Sequence, residues 1–243
     1  MTQRQYGFSE RHDVRAAAAS WSAAPPDPHT RFKYWIIASA LAARGLSGRL
    51  VDVGCGNGLL QKHLESVGWT DTVGVEPSGN PTGREALGLT IYNEPVADFL
   101  ERPGMAGGFD VAVANHVLEH SYDPPALLRQ LRELVRPGGH VLVATPNLRG
   151  AAMRWKTLLS RMGLKARPFR HLDYPKHLVL FDVRNLPRLI EAAGLPVVRA
   201  ETYTRASSDS SARPRRFTPW DRLGWGDNMY VLAKRGIQEP VTH

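Results

Sequence analysis

The stretch "VDVGCGNG" (residues 51–58) decides how the rest of the chain is read. The apolar run that contains its start, "RLVDVGC" (49–55), reads as a buried strand, and "LLQKHLESVG" (59–68) after it reads as a helix. Between them stand Gly54, Gly56 and Gly58, which permit a tight turn and let a ligand come close to the main chain. An ordinary turn would use the same glycines, so the neighbouring residues must discriminate.

Two of them do. The dinucleotide fingerprint G-x-G-x-x-G needs glycine or alanine at position 59, and the chain has Leu59. Asp52, at the strand end just before the turn, would repel a pyrophosphate and suit a cation. Glu76 ends the next strand, "DTVGVEP" (71–77), where it can accept hydrogen bonds from ribose hydroxyls. The pocket therefore favours a ribose-bearing ligand that is positive in its middle. S-adenosylmethionine, with its sulfonium and α-amino groups, fits; a nicotinamide cofactor does not.

Outward from this unit, strands and helices continue to alternate. "LTIYN" (89–93), "FDVAVAN" (109–115) and "HVLVATP" (140–146) read as strands. "PPALLRQLRELVR" (124–136) repeats leucine at helical spacing until "PGG" (137–139) stops it, and "VRNLPRLIEAAGL" (183–195) is a further helix closed by Gly194. "PVVRAETYT" (196–204) and "NMYVLAKR" (228–235) then follow as two strands with no helix expected between them. The fold class is α/β: a Rossmann-like, mainly parallel seven-stranded sheet with helices on both faces and its last strand antiparallel. Residues 1–48 are expected to form a helical N-terminal cap on a domain spanning 49–243, with insertions at 148–181 and 205–226 on the sheet's carboxyl edge.

The 243-residue chain has 42% hydrophobic and 22% charged residues, as an ordinary globular protein does. Its single cysteine, Cys55, excludes an intramolecular disulfide and fits a reducing, cytoplasmic setting. No early run is long and apolar enough to span a bilayer. The net charge of +8 is concentrated: residues 149–176 hold eight Lys or Arg against one acid, Asp173. That segment is either a solvated surface or a cap that attracts an anionic acceptor or surface.

Four segments in order, "VDVGCGNG", "VGVEP", "FDVAVANHVLEHSYDPPALLRQLRELVRPGGHVLVATPN" and "LDYPKHLVLFDVRNLPRLIEAAGL", resemble class I S-adenosylmethionine-dependent methyltransferases over about residues 48–200. The resemblance is narrower to a bacterial small-molecule subgroup with "LEH" after the fourth strand. It implies that Asp52, Gly54, Cys55, Gly56 and Gly58 hold the methionine moiety, with Glu76 on the ribose and Pro77 beside it. Asp98 is the acidic residue expected near the adenine, with Val96 and Ala97 as backbone alternatives. Asn115 is expected to touch the cofactor.

"NHVLEH" (115–120) brings His116, Glu119 and His120 within one helical repeat. One reading makes Glu119 and His120 a polar start to the next helix; a second makes His116 the catalytic base or acceptor-positioning group. Related quinone-biosynthesis O-methyltransferases and RNA 2′-O-methyltransferases use Glu-x-x-Glu-His to hold a metal, so His116, Glu119, His120 and His177 are the alternative set for Mn²⁺ or Zn²⁺. His116 in place of the first Glu disfavours Mg²⁺. His177, in "DYPKHLVLF", is expected to fold back over the pocket as base or clamp; His171 and Asp173 read as surface residues.

"MRWKTLLSRMGLK" (153–165) spaces Trp155, Leu158, Leu159 and Met162 along one helical stripe with basic residues elsewhere. It either packs on the domain or forms a lid whose basic face meets a phosphate, a carboxylate or an anionic membrane. "RFKYWIIASAL" (31–41) is a second candidate cap. The expected activity is methyl transfer from S-adenosylmethionine to a hydroxyl, or secondarily an amine, of a small polar or anionic molecule. A metal-assisted RNA 2′-O-methyltransferase and a non-catalytic module that only binds the cofactor are the alternatives. No RNA-binding motif accompanies the basic segment, and the oligomeric state is left open.

Overall fold

The computed structural model describes residues 28–78, 87–164, 172, 177–204 and 219–237. The seven strands are β1 (Arg49–Val53), β2 (Asp71–Val75), β3 (Thr90–Tyr92), β4 (Phe109–Asn115), β5 (Val135–Pro146), β6 (Val197–Tyr203) and β7 (Asn228–Lys234). They lie in the order β3-β2-β1-β4-β5-β7-β6, with β7 antiparallel to both neighbours and the others parallel to one another. The described helices are α1 (Pro28–Ala42), α2 (Leu59–Ser66), α3 (Val96–Leu100), α4 (Pro124–Leu134), α5 (Ala151–Arg161), α6 (Asn185–Ala192) and the one-turn α7 (Pro219–Arg222).

Alternation along the central strands builds two cores. In β4, Ala112 and Ala114 turn to one face, where they meet Leu128, Leu131 and Leu134 of α4 and Leu186 and Ile190 of α6. Val111 and Val113 turn to the other, against Ile36, Ile37 and Leu41 of α1 and Leu60 and Leu64 of α2. Each of these fully buried leucines contributes roughly 1.5–3 kcal/mol. Residues 28–42, part of the expected cap, thus pack into one core layer of the sheet; residues 1–27 lie outside the described residues.

Local chemistry sets the ends of the elements. Asp123 caps α4 by accepting the Ala126 N–H at 2.9 Å, and two prolines open its first turn. The helix ends at Leu134, two residues earlier than its periodicity suggested, because Val135 is already bridged to Phe109 in the sheet. The "PGG" turn is absorbed into β5. The expectation of no helix between the last two strands is corrected: α7 stands there. The patch 207–216 lies outside the described residues, as do His171 and Asp173. No described helix is long and apolar enough to cross a membrane.

The sheet order places the site. After β1 the chain winds outward toward β2 and β3, and after β4 it winds the other way toward β5, so a crevice opens between the carboxyl ends of β1 and β4. β6 runs parallel to β5, so its carboxyl end at Tyr203 lies on the same edge as Asn115.

Candidate active site

The β1 turn forms one wall of the crevice. Gly54 donates its N–H to the Val75 carbonyl at 2.7 Å, tying the turn to the end of β2. Glu76 accepts the Gly56 N–H at 2.9 Å with one carboxylate oxygen and the Ser78 N–H at 2.9 Å with the other. Gly54 has a positive φ of 71°, and a Cβ there would lie 2.4 Å from Cγ2 of Val117. At Gly56, by contrast, a Cβ would meet nothing within 4 Å. The open space of the loop therefore lies beside Gly56, with Glu76 at its rim.

Asp52 is 1% exposed. Burial, and secondarily the charge of Glu76, pushes its carboxyl up to about 8. A carboxyl so placed gains from any cationic group that enters, and the donor set suits the sulfonium and ammonium of S-adenosylmethionine. The thiol of Cys55 is pushed up by burial and is not a nucleophile. Pro77 is exposed beside Glu76, and Asp98 is exposed on α3, after β3 and two strands from β1.

The opposite wall is "NHVLEH", which corrects the expected shared helical face. His116 has φ 57°, and among the described residues it is the non-glycine with a positive φ. Its N–H is held by the Ala144 carbonyl at 2.8 Å, and only Leu118–His120 forms a single 3₁₀ turn. The turn nevertheless brings His116 Nδ1 to 3.0 Å from Glu119 Oε1. Glu119 is 2% exposed, and its second oxygen accepts the Thr145 hydroxyl at 3.0 Å.

These contacts set the protonation states. Burial drives the His116 imidazole below its ordinary value, Lys33 adds to this, and the hydrogen bond to Glu119 opposes it. Burial acts to raise Glu119, but the bond from His116 and the nearby imidazoles hold it below the usual carboxylate range. An ionised carboxylate only accepts, so Nδ1 carries the proton and Nε2 the lone pair. That Nε2 is buried and has no partner among the described residues; the same is true of Asn115 Oδ1 and the Tyr203 hydroxyl.

Tyr203 is not among the site residues the sequence points to, because "ETYT" carries only a strand pattern. Its phenol is pushed up by burial and then by the charge of Glu119, which places its hydroxyl within electrostatic reach of that carboxylate. Phe32 of α1 packs edge-on against its ring at 6.1 Å between centroids. The available signal was its position, an aromatic hydroxyl at the carboxyl end of a strand parallel to β4.

His177 does fold onto this wall. Leu178 and Val179 donate their N–H groups to the Glu119 carbonyl at 2.8 and 3.2 Å, and the His177 ring stands 5.1 Å from that of His120. Glu119, His120 and His177 each bring a ligand atom within 4.8 Å of the other two. His116 is not a member of that set, so the structure gathers three of the four residues expected for a metal.

A family model described as a methyltransferase domain matches residues 29–200. The ubiquinone biosynthesis O-methyltransferase of Acinetobacter baumannii is 27% identical over 206 residues, 76% of this chain and 84% of that one. A protein of the same description from Cereibacter sphaeroides is 39% identical over 117 residues, 46% of this chain and 45% of its own. Among solved structures, an S-adenosylmethionine-dependent methyltransferase from Thermotoga maritima, described as a possible histamine N-methyltransferase, superposes with a TM-score of 0.63 at 18% identity, over 92% of this chain and 96% of that one. Magnesium protoporphyrin IX methyltransferase from Synechocystis, with S-adenosylhomocysteine bound, gives 0.54 at 14% identity over 84% and 82%.

Proposed function

The chain belongs to the methyltransferase-domain family and is an S-adenosylmethionine-dependent methyltransferase; from that premise we propose that it methylates a hydroxyl oxygen of a small, polar or anionic molecule. The observation that carries this reading is His116: a neutral imidazole oriented through Nδ1 by a buried Glu119, with a buried Nε2, unpaired among the described residues, just beyond the carboxyl end of β4. Two relatives are described as O-methyltransferases, which supports oxygen over nitrogen. The "LEH" segment supports the small-molecule subgroup.

In this reading Asp52, Gly54, Cys55, Gly56 and Gly58 receive the methionine end of the cofactor, Glu76 the ribose with Pro77 alongside, and Asp98 the adenine side. When bound, the cofactor supplies an electrophilic methyl on sulfur. Methyl transfer then needs position, a dry site and loss of the acceptor's proton. Asn115 touches the cofactor where it meets the acceptor, Tyr203 orients the acceptor, α1 covers it through Phe32 and Lys33, and His116 Nε2 takes its proton. Glu119 stabilises the imidazolium that results. His177 clamps the wall from behind.

The test replaces His116 with Ala and separates binding from turnover. S-adenosylhomocysteine affinity, read by calorimetry, stays at the wild-type value, while methyl transfer to hydroxylated acceptors falls by about 10²–10⁴-fold. Retained transfer to hydroxyls overturns the assignment. In the wild type, kcat/KM falls on the acid side only below the ordinary imidazole range, because burial lowers His116.

One observation favours a second reading. Glu119, His120 and His177 form an N₂O set of the kind that suits Mn²⁺ or Zn²⁺, which would draw an acceptor hydroxyl and lower its pKa. Loss of activity on chelation, with stoichiometric Mn²⁺ binding removed by His120→Ala, would favour this reading, and with it diol acceptors including RNA termini.

A further inference from the structure

Three of the four residues of the α5 stripe face solvent, and only Leu159 is half-buried. Trp155 is 61% exposed, Leu158 46% and Met162 61%, and Leu164 just beyond the helix is 65% exposed. They lie at i, i+3 and i+7, a single line down the solvent side. The side turned inward carries Met153, Thr157 and Ser160, the last of them buried. The helix thus turns Trp155, Leu158 and Met162 to water, while Met153 and the half-buried Leu159 are its large apolar residues toward the domain, beside Thr157 and Ser160.

The helix is held in this orientation from its base. Ala152 donates its N–H to the Asp227 carboxylate at 3.2 Å and Ala151 to the Trp225 carbonyl at 2.8 Å. Trp225 and Leu223, beside that base, are themselves 39% and 64% exposed, which widens the apolar patch. Along the helix itself the charge has one sign, with the Asp227 carboxylate lying at its base. Residues Ala151–Arg161 contain Arg154, Lys156 and Arg161, all exposed, and no acid. On the helical wheel Arg154 and Arg161 flank the apolar line on one side and Lys156 lies on the other. In sequence, the basic excess continues through residue 176.

We propose that α5 docks the protein on an anionic lipid bilayer, with Trp155, Leu158 and Met162 entering the interface and the flanking basic residues meeting lipid phosphates. An apolar line between cations, with a tryptophan in it, matches a bilayer's layering of anionic headgroups over acyl chain. A protein partner would need acids around an apolar groove, whereas this surface offers its cations on both sides of a convex helix. The docking also orients the site. Met153, on the inward side of α5, lines a recess with Glu119, His177 and Phe181, so a bilayer-bound helix sets the acceptor wall close behind the membrane surface. This inference stands apart from the identity of the base or the acceptor.

The test is co-sedimentation of the full chain with vesicles of equal parts phosphatidylcholine and phosphatidylglycerol, and with phosphatidylcholine alone. The chain pellets with the anionic vesicles, and raised salt releases it. Lys156→Gln and Arg161→Gln each weaken binding about fivefold, and Trp155→Ser with Met162→Ser weakens it at least about tenfold. These variants keep wild-type melting and S-adenosylhomocysteine affinity, because the replaced side chains face water. Absence of pelleting, or equal pelleting with both vesicles, overturns the proposal. So does a loss of cooperative melting in the double serine variant, which would make the stripe a packed face. A dimer abolished by that variant in a chain that ignores vesicles would assign the stripe to a second copy. Retained S-adenosylhomocysteine binding in any of these outcomes leaves the methyl-transfer reading intact.

Discussion

Beside the β1 turn, Glu76 has both carboxylate oxygens paired with main-chain N–H groups; at the ends of β4 and β6, three buried side-chain atoms have no partner among the described residues. Glu76 accepts the N–H groups of Gly56 and Ser78, which ties down the glycine loop within the chain itself, although Gln61 Oε1 nearby is buried without a partner among the described residues. Across the crevice, Asn115 Oδ1, His116 Nε2 and the Tyr203 hydroxyl are buried without partners among the described residues. Each such atom costs about 1–3 kcal/mol. A wall that serves one invariant ligand can be completed internally. A wall that must recognise an acceptor and take its proton keeps its donors and acceptors open.

The largest effect should come from joining the two walls by force. Gly54→Ala puts a side chain at φ 71° with its Cβ 2.4 Å from Val117 Cγ2, and Val117 sits between His116 and the 3₁₀ turn. The backbone strain costs about 1–2 kcal/mol and the overpacking about 1–3. The melting temperature should fall, by roughly 2–4 °C for each kcal/mol lost, and both S-adenosylhomocysteine affinity and turnover should drop together. Adding Val117→Ala should restore part of the stability, because both Val117 methyls lie in the path of the new Cβ. If it restores nothing, the walls are not coupled through this contact.

A smaller effect, confined to the cofactor wall, is expected at Asp52. Its carboxyl stands at about 8 in the free protein, mainly through burial, so below that pH it is largely protonated. The α-ammonium of S-adenosylhomocysteine, its only cationic group, favours the ionised form, so binding releases a proton. Affinity for S-adenosylhomocysteine should therefore climb as pH rises toward 8 and level off above it. Calorimetry in two buffers of different ionisation heat reads the proton directly. The same shift acts on stability with the opposite trend. The folded state binds the proton more tightly than the unfolded chain, whose value is near 3.8, so ligand-free stability declines as pH rises between those two values. Asp52→Asn should flatten both profiles and weaken binding at pH 8 by about 1.5–3 kcal/mol. A profile that persists in the variant would mean that another group carries the linkage.

The paired wall was also the legible one. Gly54, Gly56, Gly58, Asp52 and Glu76 are close in sequence to the strand ends that position them, so spacing alone reports their arrangement. The alternation of β1 to β5 was visible for the same reason. On the other wall, His116 adopts a left-handed conformation that no residue-type pattern announces, and its neighbours come from α1, β6 and the segment around His177. Tyr203 reaches the site because β6 lies beyond β7 in the sheet, an order that local periodicity does not contain. The stripe of α5 was visible as a stripe, but periodicity names an apolar side without saying what it faces. In the same way the spacing of His116, Glu119 and His120 announced a cluster. Only the fold shows that His116 pairs with Glu119 while His120 turns toward His177.

The smallest perturbation makes the finest test of the contrast. Tyr203→Phe removes one oxygen and leaves the ring against Phe32. Were that hydroxyl bonded within the folded chain, its loss would cost about 0.5–1.5 kcal/mol. An unpaired buried hydroxyl predicts the opposite sign: melting unchanged or slightly raised, because a desolvated group without a partner has been taken away. S-adenosylhomocysteine affinity should not move, since the phenol lies on the wall opposite the glycine loop. Burial and the charge of Glu119 hold the phenol protonated, so in the proposed mechanism it donates to an incoming acceptor oxygen while His116 takes that oxygen's proton. Losing that donor should raise the acceptor KM, or lower kcat/KM, by up to about tenfold, the worth of one net hydrogen bond. A variant that melts lower and turns over normally would place Tyr203 in the framework. One that melts no lower and loses acceptor affinity would show that the fold bears the cost of an unpaired group to keep a place for the substrate.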